Sequence, residues 1–151
     1  MMKTLVVVGL GLGLLGCGVP SVGESLPPEL SVAGQSPSPD EVEPVVFWLF
    51  RTEDCLRCES LAQRIRQARA DGLEFTFVPV LLDEDSVPTA VENFFLRERL
   101  GDPVVVLSDG LPTRWRGLRG SPLIVTAKRG RVSAVLVGDS ARHARVGELV
   151  R

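Results

Sequence analysis

The feature that most limits how this chain can fold is the apolar run Val45-Val46-Phe47-Trp48-Leu49-Phe50, set just ahead of Cys55-Leu56-Arg57-Cys58. An uninterrupted apolar run of strand length is expected of a central strand covered on both faces, so the fold must supply two layers around it. A helix is expected to begin near Cys55, because Leu61, Ile65 and Ala68 recur at helical spacing and Asp71-Gly72 supplies a stop. The C-x-x-C pair therefore falls where a buried strand turns into a helix. Unpaired backbone N–H groups and the positive end of the helix dipole would stabilise a thiolate at Cys55 there and lower its pKa below ~8.5. Cys58, one turn along, is placed to resolve a mixed disulfide formed at Cys55. Arg57 favours the thiolate, whereas Glu53, Asp54 and Glu59 oppose it, so the direction of exchange is not readable from the motif. A static disulfide and half of a metal site are the competing readings. The chain has three cysteines and one histidine in 151 residues, so a conventional four-ligand zinc site would need every one of them.

The rest of the chain alternates in the same style. Residues 75–82 form a second buried strand, in which Pro79 implies a bulge or a free edge. Thr89-Ala90-Val91-Glu92 resembles a capping box opening a helix with Val91, Phe94 and Phe95 on its buried stripe, ended by Gly101. A strand over 103–107, a short polar helix around 112–115, and strands over 123–127 and 132–137 follow. Arg129-Gly130 makes the hairpin turn between the last two. Ser140 is expected to cap a terminal helix with Ala141, Ala144, Val146 and Leu149 inward. Strands alternating with helices and finishing in a hairpin and a helix predict a mixed α/β sandwich.

The N-terminal residues carry an address rather than a core. Lys3, a short apolar run from Leu5 to Val19 and the ending Leu14-Leu15-Gly16-Cys17 make a secretory signal over 1–16. That ending resembles a bacterial lipobox, which implies that Cys17 is lipidated and becomes the first mature residue, anchoring the chain to a membrane. Gly11-Leu12-Gly13-Leu14-Leu15-Gly16 matches a dinucleotide-binding turn, but no βαβ unit follows it. Residues 17–44 are rich in proline and serine and hold Glu24, Glu29, Asp40, Glu41 and Glu43 with no base, as expected of an acidic tether. Fully extended, it would reach ~80 Å at ~3.1 Å per residue. The domain is then 45–151. A net charge of −2 carries no nucleic-acid footprint.

Gly117-Leu118-Arg119-Gly120-Ser121-Pro122-Leu123-Ile124-Val125, followed by Lys128-Arg129-Gly130-Arg131-Val132 and Val137-Gly138, closely resembles the second half of thioredoxin. The resemblance implies a thioredoxin fold. It makes Pro122 the cis-proline facing the active-site pair, with Gly120 and Ser121 offering backbone to a substrate strand. The helix and strand between Ser86 and Gly110 are similar to the insert of the TlpA/ResA branch, anchored extracytoplasmic thiol-disulfide oxidoreductases. That branch implies a lipid-anchored monomer of the bacterial cell envelope, facing the periplasm or the outer side. Many of that branch reduce disulfides of exported proteins such as apocytochromes, with oxidation the lesser alternative; the resemblance also implies recharging by an upstream membrane donor and no cofactor beyond the Cys55–Cys58 disulfide. It also implies a proton-shuttling carboxylate, which Glu84 matches best, though an acidic surface loop explains Glu84 equally well. Trp115 lines the substrate groove or packs inside, and Arg114, Arg116 and Arg119 form a basic cluster near the same loop. Two departures stand out. Asp54 replaces the tryptophan usual before the first cysteine, with helix N-cap as its simplest role, and the preceding strand carries no acid. A redox-inert or copper-delivering binding module and a thiol peroxidase remain the rival functions.

Overall fold

The computed structural model describes residues 18–31, 43–55, 57–118 and 120–151. The signal peptide, Cys17 and the middle of the expected tether lie outside those residues, as do Leu56 and Arg119. A five-stranded mixed sheet organises the domain, in the order β3-β2-β1-β4-β5. Strand β1 (Val45–Phe50) lies at its centre, parallel to β2 (Thr76–Leu82) and antiparallel to β4 (Leu123–Lys128). Strand β3 (Val105–Leu107) extends the parallel side, and β5 (Arg131–Val137) closes a hairpin with β4. Arg129 and Gly130 both take positive φ (53° and 74°), the left-handed pair that a tight two-residue hairpin requires. Pro79 needs no partner from β3, whose register begins one residue later at Val80.

Every residue of β1 is buried, and its side chains divide by parity between two cores. Val46, Trp48 and Phe50 join Cys55, Cys58, Leu61 and Ile65 under the helices α3 (Glu59–Ala70) and α4 (Thr89–Arg97). Trp48 stacks on Phe50 at 4.5 Å between centroids and lies against Phe77, Phe94 and Phe95, so one aromatic cluster binds β1, β2 and α4. Val45, Phe47 and Leu49 face the other way, toward Val80, Leu123, Val125, Trp115 and Leu30. Leu30 belongs to α1 (Pro28–Ser31), inside the segment expected to be a tether.

For residues 18–31 that expectation is corrected. Residues 18–31 are docked. Gly23 N–H donates to Val132 O, Val132 N–H to Glu24 O and Leu26 N–H to Gly130 O, adding a short antiparallel rung beside β5 at Ser25 and Arg131. The segment covers an otherwise open sheet edge and then places Leu30 on the second apolar face. A polar, proline-rich stretch can do this because the sheet supplies the hydrogen bonds that its own sequence cannot.

Two helix expectations also change. Helix α4 is capped by Pro88 with no side-chain hydrogen bond, so Thr89 and Glu92 form no capping box. The terminal helix is two short ones, α5 (Asp139–Arg142) and α6 (Val146–Leu149), because Arg145 leaves the helical region at φ −86°, ψ 82°. Gly138, not Ser140, precedes the first of them. Among the described residues no helix is long and apolar enough to cross a membrane.

Candidate functional site: a buried thiol pair

Strand β1 ends at Phe50, and the chain enters the one-turn helix α2 (Thr52–Cys55). Arg57 N–H and Cys58 N–H close a turn onto Asp54 O and Cys55 O at 3.0 and 3.4 Å, and α3 starts at Glu59 with Cys58 as its N-cap residue. The long helix therefore begins at the second cysteine rather than the first, and Cys55 ends α2. Both cysteines are free thiols and both are buried, at 2% and 0% exposure.

Burial decides their chemistry. The thiols of Cys55 and Cys58 are each pushed from 9.0 up to about 12, first because burial strips solvation from a thiolate. For Cys55 the neighbouring Cys58 and then Asp54 push further in the same direction. For Cys58 the Asp54 carboxylate raises the value and the Arg142 guanidinium opposes it. The lowered pKa expected at Cys55 is corrected to a raised one. Its thiol is buried, and the N-cap of α3 is three residues on, at Cys58.

Asp54 is 5% exposed and joins several elements. Its Oδ2 accepts from Arg51 N–H at 2.9 Å, the return half of a capping box, so it caps α2 from the third position rather than as the N-cap. Its Oδ1 accepts from the Ser121 hydroxyl at 3.3 Å and lies 4.0 Å from Arg142 Nη2. Arg142, on α5, also donates to Ser121 O at 3.3 Å and to Asp139 Oδ1 at 2.6 Å, while its buried Nε finds no partner among the described residues. The residue before Cys55, the loop before β4 and the helix after β5 thereby meet at one carboxylate. Arg142 escaped the sequence reading because nothing local marks it. Asp54 was legible there as a charge opposing the thiolate, which its effect on both cysteines bears out, but not as the point where these elements meet.

The loop before β4 meets the thiol segment through Asp54. The Ser121–Pro122 peptide bond is cis, and Pro122 O accepts from Gly138 N–H at 2.8 Å. Gly120 takes φ +101°, where a Cβ would be strained and would press on Val137 Cγ1 at 3.2 Å. Glu84, half-buried just past β2, accepts from the Thr52 hydroxyl at 3.1 Å, and Asp83 takes Arg51 Nε at 2.8 Å. These two acids hold the start of α2, and the carboxylate that acts on both thiols is Asp54. Trp115 lies apart from the site. It is fully buried in the core on the opposite face of the sheet, its Nε1–H donating to Glu24 Oε1 at 3.0 Å, so the groove placement is corrected to packing. Arg114 and Arg116 are exposed, as is His143.

No known family profile matches the sequence, and no curated protein matches it. Solved structures do. A secreted disulfide oxidoreductase of Mycobacterium tuberculosis, homologous to E. coli DsbE, is similar at TM-score 0.56 and 19% identity, over 73% of this chain and 81% of its own. StoA from Bacillus subtilis is similar at 0.54 and 15%, over 75% and 86%. The MTB protein dsbF, solved in mixed oxidized and reduced forms, is similar at 0.53 and 21%, over 91% and 97%. At these identities the likeness is one of fold, and the chain carries the thioredoxin-like α/β fold of the thiol-disulfide oxidoreductases, a mixed five-stranded sheet flanked by helices.

Proposed function

We propose that this protein is an extracytoplasmic thiol-disulfide oxidoreductase of the TlpA/ResA kind, anchored by lipid on Cys17, that reduces disulfides of exported proteins through Cys55 and Cys58. The observation that carries the reading is the buried pair of free thiols between β1 and α3, tied through Asp54 to the Ser121–Pro122 loop.

Exchange begins when a docked substrate strand parts that loop from α2. The ties to be loosened are the 3.3 Å Ser121–Asp54 hydrogen bond and the 4.0 Å Arg142–Asp54 contact. Cys55 gives up its proton, and its thiolate attacks one substrate sulfur. A Cys55–substrate disulfide forms, the substrate disulfide breaks, and the released sulfur takes up a proton. Cys58 then loses its proton and attacks Cys55 Sγ, forming the Cys55–Cys58 disulfide and expelling the second substrate sulfur as a thiol. Two electrons and two protons pass to the substrate. An upstream membrane dithiol restores the pair.

The burial that raises both thiol pKa values supports the reducing direction. Strong oxidants of this chemistry have a reduced form stabilised by a low-pKa thiolate. Here both thiols are held neutral at about 12, so the reduced form gains no such stabilisation at neutral pH. The test is insulin reduction by the purified protein with a dithiol donor. The expected result is turnover that Cys55→Ser abolishes, with a potential near thioredoxin's ~−270 mV rather than an oxidant's ~−120 mV. A Cys55→Ser variant as active as the parent would overturn the reading.

A further inference from the structure

Docking of residues 18–31 changes what a lipid on Cys17 would do. Gly18 O accepts from Gly117 N–H at 2.9 Å. The two glycines meet so closely that a Cβ at Gly18, which sits at φ +60°, would fall 2.7 Å from Gly117 N. The chain beyond is also fixed. Pro20 is buried, Ser21 N–H donates to Glu24 Oε1 at 2.7 Å, and Arg114 and Arg131 donate to Ser25 O and Gly23 O. Gly18, the residue next to Cys17 in the sequence, is thus held against the domain. An acyl group on Cys17 leaves the domain at one defined point, with no free chain between.

The surface around that point suits a bilayer. Among the described residues the exposed large apolar side chains are Val19, Val22 and Leu96. The two valines lie on the docked strap, Val22 at 71% exposure, while Leu96 projects from α4, which covers the other face of the sheet. Arg114 and Arg116 are exposed in and just after the 3₁₀ turn Thr113–Trp115, beside Gly117. On the strap, Glu24 is taken up internally by Ser21 N–H and Trp115 Nε1–H, while Glu29 and Asp109 line one pocket with Arg116. Two exposed valines flanked by two arginines match the chemistry of an anionic phospholipid interface, where each arginine near the surface contributes roughly fivefold in partitioning.

We propose that the Gly18–Leu26 strap with Val19, Val22, Arg114 and Arg116 is a membrane-contacting surface that lays the domain flat on the anionic bilayer holding its anchor. This rests on lipidation of Cys17 as proposed above. It replaces an ~80 Å leash with a fixed pose. Ser121 lies four residues beyond Gly117, at most ~15 Å of chain. The thiol site is therefore held beside the membrane plane, and the disulfides within its reach are those presented at the bilayer surface.

The test uses the full-length protein purified with its lipid and reconstituted in phosphatidylglycerol/phosphatidylcholine vesicles with or without brominated acyl chains. Trp48 and Trp115 are fully buried, so tryptophan introduced by Val22→Trp supplies the responsive signal. The emission added by Val22→Trp is expected to fall at least about twofold in brominated vesicles, and adding Val19→Asp and Arg116→Glu should restore it. Leu96→Trp, equally exposed on the far side, should stay unquenched. Equal quenching at both positions, or none at position 22 while acylated protein still floats with the vesicles, overturns the fixed pose and leaves the anchor standing. Absence of an acyl mass on Cys17 overturns both.

Discussion

Raising the pH of the dithiol protein from 9 to 11 should weaken it far more than the same change weakens the disulfide form. Burial holds both thiols at about 12, against 9.0 for the same groups in the unfolded chain. Below pH 9 the folded and unfolded states each carry both thiol protons, and stability does not respond to pH through them. Between about 9 and 12 the unfolded chain has released its protons and the folded one still holds them. The native state then binds more protons than the unfolded state, so stability is lost as pH rises. Each such proton is worth about 1.4 kcal/mol per pH unit, and two thiols over two units remove ~5 kcal/mol. A loss of that size approaches the whole stability of many domains, ~5–15 kcal/mol. The disulfide form has no thiol proton to lose and serves as the control. The chain's two lysines and lack of tyrosine leave few other groups titrating in this window. Urea midpoints read from tryptophan fluorescence, for both forms at several pH values from 7 to 11, measure the difference directly. The two curves should run parallel to about pH 9 and diverge above it. Parallel curves through pH 11 would refute burial as the force holding the thiols neutral.

Asp54→Asn keeps an acceptor for Arg51 N–H and removes the charge that raises both thiols. Alkylation at a fixed pH between 8 and 10 should quicken by roughly three- to tenfold, and a slowing would mean that Asp54 acts as the proton acceptor instead. Trp48→Phe and Trp115→Phe form a contrasting pair. Trp48 Nε1 is buried without a partner among the described residues, whereas Trp115 Nε1 donates to Glu24, so losing the Trp115 indole should be costlier by about 1–2 kcal/mol in urea unfolding. Insulin reduction should be unaffected by the Trp115 change, since that ring lies on the sheet face away from the thiols.

Much of the architecture is written locally, and those parts were legible. A solid apolar run of strand length bounded by Pro44 is expected of a strand covered twice, and β1 is buried at every residue. Arg129-Gly130 declares a tight turn because few dipeptides tolerate two positive φ values, and the strands on either side appear where expected. The apolar stripes of α3 and α4 likewise required only period 3.6. Legibility ended where an outcome depended on a distant surface. Ala141, Ala144 and Val146 are buried as their spacing indicates, yet they sit on two short helices, because packing against α3 outweighs continuity of the helix.

At the site the same division holds. The sequence by itself determined that two cysteines stand between a buried strand and a helix, and that a glycine-Ser-Pro loop leads into a later strand. Sequence spacing determines which residues are near one another along the chain, and a C-x-x-C pair is near by construction. Only the tertiary structure decided what surrounds the pair. It buried both thiols, placed Asp54 between Ser121 and Arg142, sent Trp115 to the opposite core, and bound a proline-rich strap to the edge of β5. The reason is physical: a thiol's pKa and a polar segment's order are set by the solvation and hydrogen bonds that other elements give or withhold, and those elements come together only when the chain has folded.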